Sequence, residues 1–342
     1  MPDAEKAGED QRRQLDGEPS SVDVWITAPR SEASSGSATV TTHPRAKRRR
    51  DVRIGNQEPL AVALQRVCLE QLDRARLALT EADLDEGIHT ARKAMKRIRA
   101  ILRLSRDEVG ERVYKTENVI LRDAARVISP VRDAAVAIET LDILANRYGN
   151  HLAAELFDEL RSELVARHSA QHEIVLSEGS LRAVIAVIEA ARIRFADWPT
   201  GPNDPWGRTA IRNEFGAIAP GVRRTYRRGR RAMHRTERDG SIANYHEWRK
   251  RAKYLRYQLE TLVQLWPTAL SGTVRTIDDL GELLGTEHDL ALLAHMVQSR
   301  ELKCDPETRR LVLALTSDER TELQQRAAPL GARIYAESPD RF

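Results

Sequence analysis

His89-Thr90-Ala91-Arg92-Lys93-Ala94-Met95-Lys96-Arg97-Ile98-Arg99 recurs 157 residues later as His246-Glu247-Trp248-Arg249-Lys250-Arg251-Ala252-Lys253-Tyr254-Leu255-Arg256. The shared pattern is H-x-x-R-K-x-x-K-x-x-R. An internal repeat of this kind points to an architecture of two related units. Drawn on a helix at 100° per residue, His89, Arg92, Lys93, Lys96, Arg99 and Arg103 fall within an arc of roughly 120°. Ala91, Ala94, Met95, Ile98, Ile101 and Leu102 lie opposite. In the second copy His246, Arg249, Lys250, Lys253 and Arg256 share one face, and Trp248, Ala252, Leu255, Leu259 and Leu262 the other. Each copy is predicted to be an amphipathic helix with an apolar stripe for the core and a polar face of one sign.

A charged helix face is usually only a solvated one. Solvated faces, however, mix acids with bases, because like charges four residues apart destabilise a helix by a few tenths of a kcal/mol. From His89 to Arg106 there are seven Lys or Arg and no Asp or Glu. The same bias at matched positions of a second helix calls for a polyanion bound between or across the two.

The 342 residues suffice for one large or two ordinary domains. With a net charge of only +4, the basic character is local, a site and not a uniformly adhesive surface. Two cysteines, Cys68 and Cys304, form neither a metal motif nor a disulfide framework, which suits a reducing cytoplasm. No signal-peptide core and no apolar run near 18 residues is evident, so neither secretion nor a membrane span is expected.

Residues 1–55 are polar and poor in large apolar groups, and read as a disordered tail. The tail ends in the basic run Arg45–Arg53, a possible contact for nucleic acid but as easily a solubilising segment. From Pro59 onward the periodicity is helical, with helices expected near 59–80, 85–107, 111–128, 131–148, 151–176, 180–196, 206–236, 241–265, 270–284, 287–300 and 305–328. Pro and Gly between Asp197 and Pro205 divide a first half, 56–197, from a second, 204–330, and leave 331–342 as a C-terminal tail. A further pair, Arg132-Asp133 and His288-Asp289, lies 156 residues apart. Each Asp is expected near a helix start, to cap backbone N–H groups or hold a basic side chain of the neighbouring repeat helix.

With those residues in hand, the chain resembles the CHAD family, the conserved-histidine α-helical domains, over roughly 57–330. The matching stretches are His89–Leu104, Ser129–Leu141, Val222–Arg235, Tyr245–Trp266 and Leu280–Leu293. The resemblance implies an all-α fold of two four-helix-type bundles related by a pseudo-twofold, whose basic helices line a shared central cleft. It implies inorganic polyphosphate as ligand and association with polyphosphate granules. Carried onto this sequence, the binding residues are His89, Arg92, Lys93, Lys96 and Arg99 with Arg103, and His246, Arg249, Lys250, Lys253 and Arg256. Arg223, Arg224, Arg227, Arg228, Arg230 and Arg231 resemble the family's Arg-rich helix. Two positions break the symmetry: Arg97 aligns with Tyr254, and Arg103 with Glu260.

The ligand chemistry fits. Polyphosphate has no bases to stack, and aromatics make up only 5% of the chain, which disfavours single-strand nucleic-acid binding. Arg offers forked donors to phosphate, Lys a mobile point charge. No cofactor motif and no catalytic constellation is evident, so a binder without catalysis is expected. Two alternatives stay open: a metal-dependent phosphohydrolase built on His288-Asp289, and a nucleic-acid binder using the tail and the Arg223–Arg235 helix. His168 and His172, four apart, would share a metal only if a third ligand joined them, and the sequence offers none.

Overall fold

The computed structural model describes residues 52–55, 57–148, 155–177, 179–198, 211–299 and 302–342. Most of the expected tail, most of the break at 197–205 and the first five residues of the helix expected at 206–236 lie outside the described residues. The described chain is all-helical, without a strand. In order come α1 (Leu60–Glu81), α2 (Leu84–Leu104), short α3 (Arg106–Val109), α4 (Glu111–Val127), α5 (Ser129–Tyr148), α6 (Glu155–Ser177) and α7 (Ser180–Ala196). A 3₁₀ turn at Phe215–Ala217 precedes α8 (Ala219–Arg238), α9 (Ile242–Leu262), α10 (Pro267–Gln298) and α11 (Pro306–Ile334). No helix among the described residues is long and apolar enough to cross a membrane.

The two repeat segments are α2 and α9. On α2 the stripe Ile88, Ala91, Met95, Ile98 and Leu102 is buried, in one apolar cluster with Leu64, Val67, Cys68 and Leu72 of α1. On α9 Trp248, Ala252, Leu255, Leu259 and Leu262 are buried. Each fully buried large aliphatic side chain contributes about 1.5–3 kcal/mol, enough to hold the opposite, cationic faces where they are.

The apolar clusters do not follow the two halves. One runs from α1, α2 and α7 into α8 and α9. The other joins Leu141 and Leu144 of α5 and Leu160 and Leu164 of α6 to Leu293 and Val297 of α10 and Val312 of α11. Each cluster draws on both halves, so neither half has a core of its own.

Four expected boundaries move. The helix expected at 206–236 starts only at Ala219, because the 3₁₀ turn at Phe215–Ala217 precedes it and Pro220 sits in its first turn. Val52 and Ile54 are buried, and the Ile54 N–H donates to Thr261 O at 3.0 Å, so 52–55 belong to the fold and not to the tail. The C-terminal segment also packs: α11 runs to Ile334, Tyr335 is buried, and Phe342 stacks on Tyr226 at 3.9 Å. The two helices expected at 270–284 and 287–300 are one, α10, because the pairing of α10 with α11 carries the chain straight through Gly285-Thr286. An N-cap is visible where the chemistry is strongest: Asp305 Oδ1 accepts from the N–H groups of Glu307 (2.8 Å) and Thr308 (3.0 Å) at the start of α11.

The Arg-rich helix α8 is seated against the end of α2 through Gly221, where an added Cβ would overlap the carbonyl of Leu104. Gly221→Ala should lower stability by about 1–3 kcal/mol through overpacking. Gly272→Ala, on α10 with open space at its Cβ, should raise it by about 0.5–1 kcal/mol through helix propensity. Urea unfolding followed by circular dichroism checks both signs.

Candidate functional site: a cationic cleft between the repeat helices

Helices α2 and α9 cross at Ala100, which is buried with Tyr254 and Tyr257. Gln258 Nε2 donates to Ala100 O at 3.1 Å. On one side of the crossing Arg97 donates to both oxygens of Glu260 at 3.1 Å. On the other, the Arg103 guanidinium lies over the Tyr254 ring, 3.8 Å from its centre. Because Arg97 aligns with Tyr254 and Arg103 with Glu260, these two contacts exchange when the repeat copies are exchanged.

Beyond the crossing the cationic faces converge. Arg92, Lys96 and Arg99 of α2 and His246 and Arg249 of α9 are buried. Arg92 donates to Ala125 O at 3.1 Å and to Ser129 Oγ at the α4–α5 corner, and Arg99 Nε to Asn118 Oδ1 at 3.2 Å. Burial, then the Arg92 and Arg249 charges, pushes the Lys96 ammonium well below the usual lysine range; Asp133 and Asp289 oppose the shift. Lys253 is pushed down in the same way by burial, Arg249 and Lys96. Burial lowers Arg92 and Arg99 to about 10, still charged at neutral pH. Cations of both halves therefore feel one another directly.

Lys253, Asp133 and His288 each keep partial solvent access, yet burial is the leading cause of every one of their shifts. They lie where the repeat helices meet α5 and α10, among the charges of Arg92, Lys96 and Arg249. His246 Nε2 and Asp133 Oδ1 are buried there with no hydrogen-bond partner among the described residues. His246 and His288 meet with their Nδ1 atoms 3.2 Å apart. Burial, helped by Arg249 and Lys250, drives His246 down to about 3, and burial with Arg249 drives His288 well below its usual value, so both are neutral. Burial raises the Asp133 carboxyl to about 6 against the pull of Arg92 and Lys96.

The two Asp residues serve as counter-charges. Asp289 lies in the interior of α10, because the helix does not restart before it, and so cannot cap a helix start. Asp133 lies in the second turn of α5, also past the cap. Both face the basic residues of the repeat helices, the other role their sequence position suggested.

The remaining predicted residues divide. Lys93 and Arg256 join Arg53, Arg74, Arg97 and Arg275 around a hollow of about 470 Å³, partly neutralised by Glu260 and by Asp278, which pairs with Arg256 at 2.6 Å. At the opposite end Arg103, Arg224 and Arg228 gather with Arg106, Arg251, Tyr114 and Tyr254. Lys250 turns aside to Glu247 at 2.5 Å. Arg223 and Arg227 face Asp340, Arg230 donates to Tyr335 O, and Arg231 points to solvent. His89 is half-buried on the same face of α2, one turn before Arg92 and Lys93.

The repeat pattern missed Arg97, Arg106 and Arg251. Arg251 aligns with Ala94 and Arg97 with Tyr254, so matching the copies discards both. Arg106 lies past the motif, though within the acid-free run that begins at His89. Among the described residues a group of three potential metal ligands is formed by His168 and His172 with Asp85, a partner 83 residues away that no spacing signals.

The sequence model of the CHAD domain matches residues 63–298. The chain belongs to the CHAD family. Among solved structures this CHAD chain is similar to PptA from Streptomyces chartreusis, at 17% identity with a TM-score of 0.59, over 82% of this chain and 100% of that one. It is also similar to the CHAD domain from the plant Ricinus communis, at 18% identity with a TM-score of 0.53, over 85% and 95% of the two chains. No curated protein matches it in sequence.

The depressed lysines carry a stability sign. A lysine whose folded pKa lies below its unfolded value binds fewer protons folded than unfolded between the two, so it opposes folding at neutral pH and the penalty fades as pH rises towards about 10.4. Lys96→Met and Lys253→Met should each stabilise the ligand-free protein at pH 7, on the order of 1–3 kcal/mol. The gain should shrink between pH 7 and pH 9, because leaving the native lysine without its proton costs less as the pH approaches the unfolded value. Melting temperatures across that range check this.

Proposed function

We propose that this CHAD protein binds inorganic polyphosphate in the cleft between α2 and α9 without catalysing its turnover. The observation that carries the proposal is the convergence of Arg92 and Lys96 with Arg249 and Lys253, whose lysines hold their protons weakly beside the acids Asp133, Asp289 and Glu287. An anion entering the cleft adds counter-charge to this group. The basic groups also form a row. From Lys93 to Arg103, α2 rises about 15 Å, with cations on two adjoining faces of its middle turns and a further group at its end. That shape favours a linear polyanion over a single phosphate. The exchange of the Arg97–Glu260 and Arg103–Tyr254 contacts supports a pseudo-twofold between the halves, with one chain gripped by both. The family resemblance adds the setting: the cytoplasm, at polyphosphate granules.

Two rival readings are weaker. A metal-dependent phosphohydrolase on His288-Asp289 would need a cation beside His288, where Arg249, Lys253 and Lys96 already repel one. A single-strand nucleic-acid binder needs free aromatic faces, whereas Tyr254, Tyr257 and Tyr114 have Arg103, Arg97 and Arg106 over their rings. Phosphate release from polyphosphate with Mg²⁺ or Mn²⁺, abolished by His288→Ala, would overturn the non-catalytic reading. Displacement of polyphosphate by duplex DNA at physiological salt would overturn the ligand.

Arg92→Ala with Lys96→Ala, and separately Arg249→Ala with Lys253→Ala, should each weaken polyphosphate binding about tenfold or more at unchanged stoichiometry. Each pair should flatten the slope of log K against log salt by about one to two, because fewer counterions are released. Loss of one of two independent sites would mean separate patches. Bound polyphosphate raises the lysine pKa values again, so binding takes up protons and affinity should fall from pH 6 to pH 8. Calorimetry in buffers of different ionisation enthalpy measures that uptake.

A further inference from the structure

Away from the cleft, α6 carries His168 and His172 one turn apart on one face, and α2 begins with Asp85 in its first turn. The Nε2 atoms of both imidazoles lie 3.0 Å from the same carboxylate oxygen, Asp85 Oδ1. The rings are tilted by 59° with centres 4.3 Å apart. One ligand atom from each of the three residues falls within 4.8 Å of the other two. All three side chains are partly buried, at 18%, 27% and 32% exposure for His168, His172 and Asp85, so an ion can enter while the protein holds its ligands.

We propose that Asp85, His168 and His172 form a facial two-histidine, one-carboxylate site for a single divalent transition-metal ion. Two donors 3.0 Å apart, each about 2.1 Å from a metal, subtend about 90°. That is the angle between neighbouring ligands of an octahedral ion, and it holds for Asp85 with each imidazole, whose own nitrogens lie within 4.8 Å of each other. Imidazole with carboxylate suits zinc, cobalt, nickel or iron, and disfavours calcium and magnesium, which prefer all-oxygen shells. The opposite face stays open to water.

The site would clip α6 to the α1–α2 hairpin. It also lies one turn, about 6 Å along the axis, before His89 and the basic row. It is independent of the polyphosphate reading, since none of the cleft residues supplies a ligand.

The test uses untagged, full-length protein stripped with chelator, titrated with Co²⁺ by visible absorption and with Zn²⁺ by calorimetry, without polyphosphate. The expected result is one equivalent of each metal, with binding at least tenfold weaker in Asp85→Asn and in His172→Gln. Gln can still donate to Asp85, so the second variant keeps the hydrogen-bonded clip while removing an imidazole ligand. His234→Ala, on α8, should bind as the native protein does. Zn²⁺ should raise the melting temperature of the native protein but not of His172→Gln. Absence of saturable binding, or undiminished binding in a folded His172→Gln protein, overturns the proposal and leaves the three residues as a hydrogen-bonded contact only.

Discussion

Burying four basic side chains together where α2 crosses α9 is the constraint on which the rest of this fold depends. Arg92, Lys96, Arg249 and Lys253 would repel one another there if all were charged; Asp133 and Asp289 answer part of that repulsion, and the two lysines answer more of it by holding their protons less tightly. Removing such charges from water costs several kcal/mol per ion. The cost is met elsewhere, by apolar clusters that each recruit helices from both halves. Shared cores explain why the halves cannot drift apart to relieve the repulsion: opening the cleft would expose Leu141, Leu160 and Leu293 together.

Acids answer the arginines at both ends of the cleft. Glu260 and Asp278 tie Arg97 and Arg256 at one mouth. At the other end, with Arg103, Arg106, Arg224, Arg228 and Arg251, Asp107 reaches Arg224, Glu111 reaches Arg106 and Glu247 reaches Arg251. In sequence Glu260 looks like a weakness of the second half. In space it pairs with an arginine of the first, so an acid that breaks the repeat in one half serves a base of the other.

The repeat helices were legible because two signals coincide in them, an apolar stripe at helical spacing and a run of one charge. Their boundaries came within a few residues. Gly285-Thr286 misled because local propensity argues for a break, while the long pairing of α10 with α11 overrides it. The tail boundary failed because Val52 and Ile54 are two apolar residues in a polar stretch, and only their seat against α9 reveals them as core. Asp85 was invisible for a different reason. Helix periodicity relates residues three or four apart, and nothing in it pairs the first turn of α2 with the middle of α6. The Arg-rich helix was read correctly as a helix, but its arginines divide between the cleft, Asp340 and solvent according to its seating at Gly221 and Tyr335.

The pairing of arginine with lysine in the motif also has a physical reading. Arg92 and Arg99 are pushed only to about 10 and remain charged at neutral pH in the empty cleft. Lys96 and Lys253, equally buried among cations, lose much of their hold on the proton. Arginine therefore supplies permanent charge and geometry, and lysine supplies charge that appears when an anion arrives. A cleft of arginines alone would pay the full repulsion while empty, and one of lysines alone would be nearly neutral and attract nothing from a distance. The central lysine of each copy, Lys96 or Lys253, thus sits beside arginines that keep their charge, which lets two basic helices pack against each other without burying every charge at once.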